Sequence, residues 1–130
     1  MAAWTPPPFT KLLGLKIVQH TPERTEAELV VREELLNRRG VIHGGAVMAL
    51  GDTLGGMTAS IGLPPGGRTA TIESKTNFFA AIPKGDTARA VCTPLHRGRT
   101  TIVLETRISR SDGKLAAIVT QTQLVFEPKD

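Results

Sequence analysis

Between Gly44 and Gly67 the chain carries one ionisable side chain, Asp52. Everything else in that window is apolar, small, hydroxylic or proline. Val47, Leu50, Leu54, Met57 and Ile61 recur at helical spacing, which predicts one helix from Gly44 to about Ile61. Apolar or small residues surround that helix almost completely, so a buried helix is expected rather than a surface one. A carboxylate in such a place is costly unless it is paired, hydrogen-bonded or facing a cavity. Asp52 is therefore the residue to explain.

A membrane span needs about 20 residues, and the stretch 44–63 has the length. Against it stand six glycines, an aspartate, three hydroxyl residues and no cationic or aromatic collar. An aspartate at mid-helix alone costs about 2.5–3.5 kcal/mol on insertion scales. No membrane partner is expected. The 130 residues fit a single domain, 1–130, with the proline-rich residues 1–8 as a mobile lead-in. A net charge of +4 favours an anionic partner without naming it. The lone Cys92 excludes an intrachain disulfide framework. His20, His43 and His96 have no paired spacing, and no Cys or Glu completes a metal site. No signal peptide is evident at the start, so a cytoplasmic location is expected.

In order along the chain, Phe9 to Gly14 predicts a short helical turn, and Leu15–His20 and Arg24–Arg32 a strand pair or one long bent strand. Gly62-Leu-Pro-Pro-Gly-Gly67 breaks the long helix. Four strand-like runs follow, at Thr69–Phe79, Thr87–Leu95, Thr100–Ser109 and Lys114–Phe126. Turn signals at Pro83–Asp86, His96–Arg99 and Ser111–Gly113 separate them, and Asp112-Gly113 suits a tight primed hairpin turn. Gln121, Thr122 and Gln123 dilute the last strand, which predicts a solvated or interfacial outer part. The order implies an α+β fold in which a curved antiparallel sheet wraps one long helix.

A helix that starts at Gly44-Gly45 leaves its first N–H groups unpaired at the positive end of the dipole. That arrangement suits a carbonyl oxygen becoming negative during reaction; equally, a glycine pair can simply start a helix at a close packing contact. Asp52 lies seven residues after Gly45, nearly two turns, so the two share a face about 10 Å apart. A reacting carbon needs both groups within about 3–3.5 Å, which one helix cannot supply. Two antiparallel copies could, giving a symmetric dimer with two shared sites. The alternative for Asp52 is a bond to buried polar groups that fixes helix packing. His43 could orient the loop, contact substrate or sit as a satisfied core histidine. Arg97, Gly98 and Arg99 form a basic hairpin suited to phosphate or merely to solvent. With four Phe, one Trp, no Tyr and scattered basic residues, no nucleic-acid partner is expected.

Asn37-x-x-Gly40-x-x-His43-Gly44-Gly45 followed by Asp52 strongly resembles the hotdog-fold acyl-CoA thioesterases, in particular their phenylacetate-degradation (PaaI-like) branch. His96-x-Gly98-Arg99-x-Thr101, Asp112-Gly-Lys-Leu-Ala116 and Thr120-Gln-Thr122 carry the same resemblance, which covers about residues 9–126. It implies hydrolysis of an acyl-CoA thioester, with an aryl-acetyl or medium-chain acyl group, and no cofactor. The Gly45 amide and the Asn37 side chain would hold the thioester oxygen. Asp52 of the partner subunit would act as general base or nucleophile, and His43 would position the loop or lie near the sulfur. Thr71, or Thr69 after a two-residue register change, would help to hold the attacking water. Gly44, Arg97, Gly98 and Arg99 would bind substrate, the arginines at the CoA phosphates. The resemblance further implies a homodimer, extending to a homotetramer. An acyl-thioester hydratase and a non-catalytic acyl-CoA-binding regulator are the alternatives. Gly51, Gly55 and Gly56 leave the helix bare, which would widen the acyl pocket or tighten helix pairing.

Overall fold

The computed structural model describes residues 4–128. A short helix α1 (Pro8–Leu13) leads into strands β1 (Lys16–Thr21) and β2 (Arg24–Val30), a 3-10 turn (Glu33–Leu35) and the long helix α2 (Gly44–Ile61). Strands β3 (Arg68–Phe78), β4 (Thr87–Arg97), β5 (Thr101–Ser109) and β6 (Leu115–Phe126) follow. All six strands form one antiparallel sheet in the order β1-β2-β4-β5-β6-β3, with α2 packed on one face. The chain leaves β2 near one edge, runs through α2 and returns as β3 at the opposite edge. This is the α+β arrangement expected, one helix against a curved sheet. Of the lead-in, residues 1–3 lie outside the described residues, and Pro8 already belongs to α1.

The helix spans the predicted residues. Its start is capped by His43, its end by Gly62, and two prolines beyond prevent continuation. Leu50 and Leu54 are fully buried and meet the sheet's inward row, which includes Leu29, Leu104, Ile108 and Val119. Burying each such side chain contributes about 1.5–3 kcal/mol. The opposite face is not covered: Gly45, Met48, Asp52 and Ser60 are exposed. The helix is thus buried on one side of the protomer only, because six strands curve past it without closing around it.

Gly51 and Gly55 serve the sheet side. A Cβ at Gly51 would stand 2.4 Å from Val119, and one at Gly55 would stand 1.9 Å from the Gln121 amide. Of Gly51, Gly55 and Gly56, the last alone opens to empty space. The glutamines themselves overturn the solvated alternative for the outer part of β6, since Gln121 is 1% and Gln123 2% exposed. Strand alternation puts both on the inward row with Ala117 and Val119.

Two turns also differ from expectation. At Ser111-Asp112-Gly113 only the glycine has positive φ (87°), and the Gly113 N–H donates to the Arg110 carbonyl at 3.0 Å. A primed turn needs positive φ at its first central residue, so this is a type I turn closed by a glycine bulge. Strand β4 runs on to Arg97, past a bulge between Pro94 and His96, so the basic turn is shorter than His96–Arg99.

Candidate active site

The loop before α2 is shaped by Asn37. Its Oδ1 accepts the Arg39 N–H at 2.9 Å and the Val41 N–H at 3.3 Å. The turn closes with the Gly40 N–H on the Asn37 carbonyl at 3.1 Å, Gly40 taking φ 79°. With its oxygen end tied twice, the Asn37 carboxamide keeps its NH2 end available as a fixed donor.

At the helix start the Gly45 N–H donates to His43 Nδ1 at 2.8 Å. A neutral His43 therefore carries its proton on Nε2 and caps its own helix. That bond takes the amide expected to hold the thioester oxygen. Gly44, the first helical residue, has an N–H with no hydrogen-bond partner among the described residues. Gly44 and Asn37 line one cavity of about 330 Å³, with Phe78, Phe79 and Ala116 around them. His43 and Gly45 line a different one of about 460 Å³, walled by Phe9, Leu12 and Leu13 of α1.

Asp52 faces a third cavity of about 560 Å³, which it shares with Gly56, Thr69, Thr71 and Gln123. Its carboxylate is exposed and enters none of the six ion pairs among the described residues. The Thr71 hydroxyl accepts from Gln123 Nε2 at 2.6 Å. Thr69 and Thr71 both reach this cavity, and an extra residue in β3, Ile72, resets the register directly after Thr71. One protomer thus brings Asn37 together with Gly44, and Asp52 together with Thr71, and leaves the two pairs apart.

The basic hairpin divides its arginines. Arg97 Nη2 donates to the Thr58 and Pro22 carbonyls, each at 2.8 Å, and Nη1 donates to the Ala59 carbonyl at 3.2 Å. Its guanidinium is thereby occupied in holding the end of α2. Arg99 is exposed and makes no ion pair among the described residues. It lines a cavity of about 280 Å³ with Gly62, Pro64, Gly98 and Phe126. Cys92 is fully buried, and burial pushes its thiol pKa up, which leaves it inert. Among the described residues no group of three His, Cys, Asp or Glu side chains could hold a metal, and no helix is long and apolar enough to cross a membrane.

Sequence reasoning missed Gln121 and Gln123 as members of the site. The available signal was their period-two spacing in step with Ala117 and Val119.

Residues 39–117 match the Thioesterase superfamily. ComA2 of Bacillus subtilis, named as a candidate esterase, is 31% identical over 116 residues, covering 88% of this chain and 91% of its own. A hypothetical thioesterase from Streptococcus pneumoniae, solved with coenzyme A, superposes with a TM-score of 0.80 at 26% identity, covering 89% of this chain and 88% of that one. PaaI from Thermus thermophilus superposes with a TM-score of 0.84 at 24% identity, over 91% and 98% of the two chains, and shares the fold. By sequence match and by architecture alike, the chain belongs to the thioesterase superfamily and has the hotdog fold.

Proposed function

We propose that the protein hydrolyses the thioester of an acyl-CoA at two equivalent sites shared across a homodimer. The observation that carries this reading is the pairing of two unengaged donors, the Asn37 NH2 end and the Gly44 N–H, in one cavity at the positive end of α2. Two such donors stabilise the oxyanion that forms when a thioester carbonyl is attacked. Gly44 takes the role that the family resemblance gave to Gly45, because His43 already engages the Gly45 amide. His43 acts by capping and orienting this loop.

Asp52 supplies the carboxylate from the partner subunit. It lies on the bare face of α2 beside an edge strand, β3, whose outer side has no pairing strand in the protomer. Antiparallel packing of two such faces brings Asp52 of one chain toward Asn37 and Gly44 of the other, and pairing such dimers gives the tetramer. Asp52 then either takes a proton from water as the water attacks or attacks the carbonyl itself, to be released by water. In both routes a C–O bond forms, the C–S bond breaks and the thiolate is protonated. Single turnover in heavy-oxygen water separates them, since only the covalent route leaves label in Asp52. Arg99, with Gly98 beside it, receives the CoA phosphates, a reading supported by the coenzyme A bound in the Streptococcus pneumoniae relative.

The test is free-thiol release from a panel of acyl-CoAs. Thiol should appear with wild type and fall about 10²–10⁴-fold in Asp52→Ala while acyl-CoA binding persists. Tight binding with no thiol from any acyl chain would sink the hydrolase and leave a regulator.

A further inference from the structure

The two glutamines of β6 stand out from an otherwise apolar inward row. Each is almost wholly buried, and each is hydrogen-bonded. Gln121 Nε2 donates to the Gly51 carbonyl at 3.0 Å. Gln123 Nε2 donates to Gln121 Oε1 at 2.5 Å and to Thr71 Oγ1 at 2.6 Å. A continuous chain of amides thus crosses the core from the helical residue next to Asp52 to the strand hydroxyl facing the same cavity. It exists only because Gly55 lacks a side chain where the Gln121 amide lies.

Direction follows from donor counts. An amide NH2 group can only donate, and both hydrogens of Gln123 Nε2 are used. Thr71 Oγ1 must therefore accept, so its own hydroxyl proton cannot point at Gln123 and remains available to the cavity that Thr71 shares with Asp52. The other arm fastens the Gly51 turn of α2 to β6, which fixes where Asp52 stands relative to that hydroxyl. Rotating either amide would break these bonds and leave buried polar groups unpaired, which favours this one geometry.

We propose that Gln123 and Gln121 are positioning residues for the hydrolysis, acting through Thr71 by fixing its hydroxyl as a donor aimed at the attacking water beside Asp52. This rests on the thioesterase reading above and adds a role that neither glutamine has in it.

The test is a double-mutant cycle on kcat and KM for thiol release, using Gln123→Met and Thr71→Val singly and together. Gln123→Met keeps the volume and removes both donors. It should lower kcat about ten- to a hundredfold, as expected for a misplaced reacting group, with KM within about twofold. In the Thr71→Val background the same change should cost less than about twofold, and Thr71→Ser should retain activity. Equal losses in both backgrounds, or a loss confined to KM, would overturn the proposal. If Gln123→Met does not fold, Gln121→Met is read in the same cycle with the same criteria. In wild type, NMR couplings should show a single Thr71 χ1 rotamer, and rotamer averaging there would overturn the proposal without any mutant. Asp52→Asn separates the two levels. Its inactivity with a fully active Thr71→Val overturns the positioning role alone; thiol release by Asp52→Asn at the wild-type rate removes Asp52 from the chemistry and the positioning role with it, and a wild type that binds acyl-CoA but releases no thiol removes the thioesterase reading itself.

Discussion

Asn37 is defined by which end of its side chain is engaged. Replacing it with Asp preserves the oxygen that accepts the Arg39 and Val41 amides, so the loop should keep its shape. The replacement turns the donor end into a second carboxylate oxygen, which repels a forming oxyanion. Asn37→Asp should therefore fold as wild type by circular dichroism yet lose about 10²–10³-fold in kcat. Asp52 drew attention through its place in an apolar helix and Asn37 through the family resemblance, both of which depend on residue type and separation rather than local detail. Spacing could not choose between Gly44 and Gly45, because which amide remains available depends on where the His43 ring sits. A separate prediction concerns Asp112. Hydrogen bonding to Arg110, aided by the Lys114 amide, lowers its pKa from the ordinary 3.8 to about 2. A pKa depressed on folding means the unfolded chain binds the proton more readily, so the contribution is present above pH 3.8 and fades as pH falls toward 2. Asp112→Asn should flatten the loss of stability across that window in a urea titration and lower stability at neutral pH by the same small amount, the pair being solvent-exposed.

Among elements, α2 shows why neighbouring glycines are not equivalent. Gly55→Ala drives a Cβ into the Gln121 amide and must displace a buried, hydrogen-bonded group, costing about 1–3 kcal/mol. Gly56→Ala meets nothing within 4 Å and gains about 0.5–1 kcal/mol from helix propensity. Urea midpoints of the two variants should move in opposite directions. The helix and the four later strands were readable from period and breakers because hydrophobic patterning carries them, whereas the first two stayed open between a strand pair and one long bent strand. The burial of Gln121 and Gln123 was not readable, since polarity argues for solvent until the partner atoms are known. The primed turn was misjudged for a related reason: Asp112-Gly113 is compatible with two turn classes, and the flanking register selects between them.

For the molecule as a whole, the split between the Asn37–Gly44 cavity and the Asp52–Thr71 cavity is the feature that the proposed homodimer would reconcile. Mixing Asn37→Ala chains with Asp52→Ala chains, each inactive alone, should restore thiol release, because half of the sites in a mixed dimer combine intact groups from both. Heterodimers isolated by two affinity tags should retain about one working site in two. Persistent inactivity of such heterodimers would exclude the shared geometry. The separation within one protomer was expected from distance, as about 10 Å of helix rise lies between Gly45 and Asp52. What the pattern left hidden was the tie at the far end of the helix. Arg97 joins the Thr58 and Ala59 carbonyls of the last turn to the Pro22 carbonyl of the β1–β2 turn. Three distant stretches of chain should therefore open and close to deuterium as one unit, and anything that steadies the Arg99 hairpin should slow exchange at the helix terminus and around Pro22 together.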